Sequence, residues 1–235
     1  MAFKQFEVED IGTVTVYKRR GAKNIRLTVD HLGKVKVSMP TWTPYTAGIS
    51  FVQTKSAWLK TQLAKSQQHE LEPGGIIGKQ HRLFFVSQAG SKVRSRVDSA
   101  GNITIYHPPE LSWASTQVQT VAQRASIRAL RAEAEDILPS RLKNLSLQYG
   151  FSFSSVTVRH LKSRWGSCDQ NTHITLNLYL MQLPWHLIDY VLLHELTHTQ
   201  VMQHGPKFWT AMTELLPDVQ QLRKEIRNHR AILLH

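Results

Sequence analysis

His194-Glu195-Leu196-Thr197-His198 holds the residues best suited to chemistry in this chain. Histidines at i and i+4 project from one helical face, one turn apart. Two imidazole nitrogens at that spacing can bind one Zn²⁺ at about 2.0–2.1 Å each. The residue after the first histidine is rotated by about 100° around the helix, so its carboxylate stands beside the metal's open position. A general base must be there to take a proton from water activated by the metal. His194 and His198 are therefore the expected metal ligands, and Glu195 the expected catalytic base. Leu192, Leu193 and Leu196 must be buried, and burying two imidazoles and a carboxylate with them is costly unless something pairs them.

A catalytic zinc takes three protein ligands and keeps one position open. His204 follows His198 by six residues, about 600° on a continuous helix, so the helix must stop between them. Gly205-Pro206 is the expected terminator. The spacing H-E-x-x-H-x5-H equals that of the metzincins, but Val201 stands where their turn glycine would be. A β-branched residue disfavours positive φ, so His204 is expected to reach the metal by another path. Glu214 is the rival third ligand, as in the thermolysin-like layout, and His204 is the favoured one. Zn²⁺, one per chain, is the expected cofactor.

Arg164-Trp165-Gly166-Ser167-Cys168 is a second candidate segment. Arg164 could stabilise an oxyanion or hold a carboxylate or phosphate, and Asn177 could donate a hydrogen bond to substrate. The competing expectation is structural: Trp165 packs, Gly166 permits a bulge, and Arg164 makes an ion pair. Cys168 is expected to be a small buried hydrophobe rather than a ligand or nucleophile. The other histidines, His160, His173 and His186 among them, are expected to be ordinary.

The elements that must position these residues follow from periodicity. Segments of residues 11–40 alternate as strands, with a turn at His31-Leu32-Gly33-Lys34. Ile49, Val52, Trp58, Leu59 and Leu63 give residues 44–68 a helical period that Pro44 can open. Residues 71–108 return to strands. A helix is expected over residues 115–138, ended or kinked by Pro139, with a second helical piece to Tyr149 and Gly150 as its cap. Strands are expected over residues 154–159 and 174–178. An apolar helix from Trp185 to about Val201 comes next, then a last helix from Pro206 to the C-terminus, interrupted at Pro217. No internal repeat is visible. The expected division is a β-rich region, residues 1–110, and a catalytic domain, residues 111–235.

The chain has 235 residues and a hydrophobic fraction of 41%, enough for a real core. No apolar run approaches the roughly 18 residues of a membrane span, so no membrane partner is expected. One cysteine excludes an intrachain disulfide, and Met1 to Glu7 lacks the layout of a signal peptide. The expected location is cytoplasmic. The 29 Lys and Arg outnumber the 17 Asp and Glu, giving net +12. Residues 1–110 hold net +8, densest at Lys18-Arg19-Arg20-Gly21-Ala22-Lys23, against +4 for residues 111–235. Such a surface can recruit nucleic acid or nucleotides, or can simply be solvated.

His194 to Trp209, HELTHTQVMQHGPKFW, resembles the core of the YgjP-like zinc metallopeptidases, relatives of the SprT and WLM-type peptidases. Arg164 to Cys168, Ile174 to Asn177, Pro184 to Val191, Arg19 to Pro40 and Phe51 to Trp58 also resemble that family. The resemblance implies an α+β fold, a small β-rich N-terminal part followed by a gluzincin-like zinc peptidase domain. It implies His194, His198 and His204 as ligands, Glu195 as catalyst, and a peptide or protein substrate. Two alternatives stand beside it. One is a metal-dependent hydrolase of nucleotides or other phosphate esters. The other is a nucleic-acid-associated protein with a structural zinc.

Overall fold

The alternating segments of the first 40 residues become a four-stranded sheet in the computed structural model, which describes residues 3–29, 34–67 and 70–229. Strands β1 (Phe3–Val8), β2 (Gly12–Arg19), β3 (Arg26–Val29) and β4 (Val35–Pro40) are ordered β1-β2-β4-β3. β1 pairs antiparallel with β2, β2 parallel with β4, and β3 antiparallel with β4. Because side chains alternate faces, Val14, Val16, Val35, Val37 and Met39 all fall on one side and are fully buried there. Helices α1 (Tyr45–Thr54) and α2 (Ser56–Gln67) contribute Val52 and Leu59 to the same core. Gly48 lets α1 come close, since a Cβ there would sit 3.2 Å from the Met39 sulfur. The helical period expected over residues 44–68 is thus interrupted at Lys55, and β1 adds a strand that the periodicity did not suggest. The turn expected at residues 31–33 lies outside the described residues, as does the end of the last helix beyond residue 229.

A second four-stranded sheet repeats this wiring. Strands β5 (Ile76–Ile77), β6 (His81–Ser87), β7 (Arg94–Val97) and β8 (Asn102–His107) are ordered β5-β6-β8-β7, again antiparallel, parallel, antiparallel. Its amino-acid sequence carries no matching repeat; the order is shared, the side chains are not. Helix α3 (Thr116–Tyr149) runs 34 residues with Pro139 inside it, so of the two outcomes expected there, an end or a kink, the helix does not end. Proline removes one hydrogen bond and crowds the preceding turn, at about 3 kcal/mol. Leu130, Ala134, Leu138 and Leu142, four residues apart on one face, are fully buried, and their burial outweighs that cost. Gly150, at φ +73°, ends the helix, and the Phe151 N–H donates to the Ser146 carbonyl in a Schellman closure.

The chain forms two compact units. One comprises residues 1–71 with 114–120; the other comprises residues 72–113 with 121–234. The second sheet thus groups with the later residues, whereas the division expected near residue 110 assigns it to the earlier ones. The physical reason is Glu133 of α3, whose buried carboxylate accepts hydrogen bonds from the Lys79 and Gln80 N–H groups and pairs with His81 Nδ1. The second unit also holds β9 (Ser155–Arg159), β10 (Gly166–Cys168) and β11 (His173–Asn177), ordered β10-β11-β9. A 3-10 turn (Leu178–Gln182) leads to α4 (Trp185–His198), followed by α5 (Pro206–Leu215) and α6 (Val219–Asn228). No helix among the described residues is long and apolar enough to cross a membrane.

Candidate metal centre

Helix α4 begins after Pro184, and Leu187, Ile188, Val191, Leu192, Leu193 and Leu196 anchor it in the core. That anchoring fixes the rotation of the helix and therefore the direction of His194, Glu195 and His198. The helix ends at His198, short of the expected Val201. Its last turn tightens as the Thr199 N–H donates to the Leu196 carbonyl and the Gln200 N–H to that of Thr197. The stop therefore comes well before Gly205-Pro206, which instead open α5 with Pro206 in its first turn. Val201 does not adopt a positive φ, so residues 199–204 do not follow a glycine-type turn.

Three imidazoles converge. The Nε2 atoms of His194 and His198 are 3.2 Å apart, those of His198 and His204 3.1 Å, and those of His204 and His194 2.9 Å. The three form the one His/Cys/Asp/Glu group among the described residues able to hold a metal ion. Glu214, the rival ligand, is exposed on α5 and is not part of it. The donor set passes a geometric test for zinc. Nitrogens at 2.0–2.1 Å from a tetrahedral ion lie about 3.3–3.4 Å apart, close to the spacings observed. His198 Nδ1 lies 3.1 Å from the Val201 carbonyl. A carbonyl only accepts, so Nδ1 carries the proton and Nε2 presents a bare lone pair to the centre. Burial, with His198, His204 and Arg223 nearby, pushes His194 down to about 3, and burial also lowers His198. Both rings are therefore neutral, as ligation requires.

Aromatic residues that carry no motif form the wall behind the imidazoles. The Phe208 ring of α5 is fully buried, with centroids 4.9, 4.6 and 4.8 Å from those of His194, His198 and His204. Trp209 stacks on His204 at 6.0 Å, and its indole N–H donates to the His204 carbonyl at 3.1 Å. The Arg223 guanidinium lies over the Trp209 ring, 4.3 Å from its centroid. His204 is the exposed member of the triad, so these contacts do for it what the helix does for the other two. Phe208 and Trp209 are i+4 and i+5 from His204, a spacing that would have flagged them only with α5 already placed.

Glu195 is 5% exposed, and its Oε2 has no hydrogen-bond partner. Burial pushes its carboxyl up to about 8, with the Arg164 charge pulling the other way. β10 lies directly against it: a Cβ on Gly166 would be 2.7 Å from Oε1 and 2.8 Å from Cγ. Gly166 is therefore required by close approach and not by a bulge. Gly166→Ala is expected to displace the Glu195 carboxylate and lower turnover by roughly 10²-fold, while metal content, measured by elemental analysis, stays at the wild-type level.

Arg164 is exposed and makes no ion pair among the described residues. Asn177 is fully buried. Its amide donates to the carbonyls of Leu161 (2.9 Å) and Arg164 (2.8 Å), and its oxygen accepts from the N–H groups of Leu161 (3.4 Å) and Tyr179 (3.3 Å). Asn177 thus clamps residues 161–164. Cys168 is half-buried and stands outside the triad; burial and the Glu195 charge push its thiol up to about 11, which leaves it a poor nucleophile. His160 packs edge-on against Tyr179, His173 bonds Ser155 and Thr157, and His186 pairs with Glu225.

Two solved structures are similar, the metallopeptidase zymogens of Pyrococcus abyssi abylysin and Methanocaldococcus jannaschii jannalysin. Each is 22% identical and matched over 38% of this chain, covering 91% and 89% of theirs at TM-scores of 0.35 and 0.31. No curated protein sequence matches the chain. Residues 23–229, nearly the whole length, match the family described as YgjP-like, metallopeptidase domain, and the chain belongs to that family.

Proposed function

We propose that the chain is a zinc peptidase in which His194, His198 and His204 hold one Zn²⁺ and Glu195 is the general acid–base. The observation that carries this reading is the convergence of three Nε2 atoms within 3.2 Å of one another beside a buried, unpaired carboxylate. When bound, zinc would supply Lewis acidity, polarising the scissile carbonyl and making water easier to deprotonate. Glu195 takes that proton at Oε2 and delivers it to the leaving amine. Its burial suits the second half of the task, because burial raises the proton affinity of the carboxyl that must hold the proton between the two transfers. Arg164 lies close enough to bias that carboxyl and is exposed, and so is available to a substrate carboxylate or developing oxyanion. Asn177 acts on the same region by holding the loop beneath Arg164. A gluzincin-like architecture for the unit of residues 72–113 and 121–234, a β-rich accessory region in the first unit and a reducing, cytoplasmic setting belong to the same reading.

A phosphate-ester hydrolase would use the same metal and base, and Arg164 would suit a phosphate. A structural zinc is disfavoured because such sites close with four protein ligands, and the described residues bring only three together. The zinc-loaded chain is expected to cleave casein and to leave nucleoside triphosphates and DNA intact, with cleavage abolished by a chelator and restored by zinc. Phosphate release without casein cleavage would reverse the assignment.

A further inference from the structure

The densest basic segment of the chain has a three-dimensional form that its sequence does not suggest. Lys18 leaves the cluster: its ammonium donates to the Thr41 carbonyl at 3.0 Å and lies 4.8 Å from the Tyr45 ring centroid. Arg19 and Arg20, at the end of β2, and Lys23 remain. Arg26, which opens β3, and Lys55, between α1 and α2, join them around a cavity of about 820 Å³. None of these five cations has an ion-pair partner among the described residues. Trp58 lines the same cavity and is 45% exposed. Phe51 of α1, Lys55 between the helices and Trp58 of α2 line the same cavity, which brings one cation and two aromatic rings together.

We propose that this cavity is a nucleotide-binding site: the guanidinium groups of Arg19, Arg20 and Arg26 hold phosphate, and the base lies against Trp58. Its volume falls within the range of small-ligand pockets, roughly 300–1,000 Å³. Unpaired cations in a concave wall favour a multiply charged anion. Three of the five are arginines, whose planar forks match phosphate oxygens two at a time. A half-exposed indole beside them offers a face that any base can stack on. An acidic polypeptide would satisfy the charges but leave the indole without a matching group. The site is independent of the zinc-peptidase assignment, since none of its residues belongs to the candidate metal centre.

Binding of a fluorescent nucleoside triphosphate, followed by anisotropy on the full chain with chelator present, tests this without metal–phosphate contacts. Affinity should fall as salt rises. Arg19→Ala, Arg20→Ala and Arg26→Ala together should weaken binding by at least roughly tenfold, and Lys18→Ala should not change it. Trp58→Ala should weaken the nucleotide by at least roughly fivefold and leave inorganic tripolyphosphate unaffected; Trp58→Phe, which keeps a ring, should restore much of the loss. A fluorescent oligothymidylate run in parallel distinguishes a free nucleotide from one unit of a single strand by which binds tighter. The proposal is overturned by absence of binding at low salt or by binding indifferent to the three arginine substitutions. It is equally overturned by equal Trp58→Ala effects on nucleotide and tripolyphosphate, or by tighter binding of a polyglutamate peptide than of either nucleotide probe.

Discussion

Glu195→Gln is expected to keep one zinc per chain and its melting temperature, and to lose peptidase activity by at least roughly 10²-fold. The substitution preserves shape, which matters because Gly166 leaves no room for a differently placed group: the site already fits the Glu195 side chain to within van der Waals contact. It removes only the ability to take and return a proton. Glu195 is not among the converging donors, so zinc retention follows from geometry. Because the free carboxyl is raised to about 8 by burial, the carboxylate that must act as base is scarce at acid pH. Metal-free protein should therefore bind a proton at this site near neutral pH, a step that difference infrared spectra of wild type against Glu195→Gln would reveal. Equal turnover in the two proteins would exclude Glu195 as the base.

His198→Ala and His204→Ala are each expected to lower zinc affinity by at least roughly 10²-fold and to abolish turnover. The estimate is a floor, since loss of supporting contacts alone costs roughly 10–100-fold. The two variants should differ in stability. His198 is 7% exposed and bonded to the Val201 carbonyl, so its truncation leaves a void against Phe208 and costs about 1–3 kcal/mol. His204 is exposed, and its removal should leave the melting temperature of the metal-free protein nearly unchanged. Elemental analysis with chelator titration measures the first effect, and urea denaturation the second. Full zinc retention in His204→Ala would return Glu214 to consideration as a ligand.

His194, Glu195 and His198 were legible as a constellation because helical periodicity is local: 3.6 residues per turn places i and i+4 together whatever the rest of the chain does. His204 was legible only by elimination, since its approach depends on where α4 stops. That stop was misplaced by three residues because a Thr199 hydroxyl bonded to the Leu196 carbonyl, and not Gly205, ends the helix. Pro139 was expected to end or kink its helix, and it does not end it. A local penalty of fixed size lost to a buried stripe whose value is set by tertiary packing.

What the amino-acid order determined by itself is therefore what short-range geometry and charge determine: two histidines on one helical face, the carboxylate between them, the alternating strands, and a strongly basic first half. Only the tertiary structure decided the rest. It brought Phe208 and Trp209 behind the imidazoles, set Gly166 against Glu195 across some thirty residues of chain, and turned Asn177 into a clamp for the Arg164 loop. It also withdrew Lys18 from its basic run and gathered Arg26, Lys55 and Trp58 to the remainder. These are contacts between residues far apart in sequence. Their energies depend on which surfaces the folded chain presses together, and no periodicity within a segment encodes that choice.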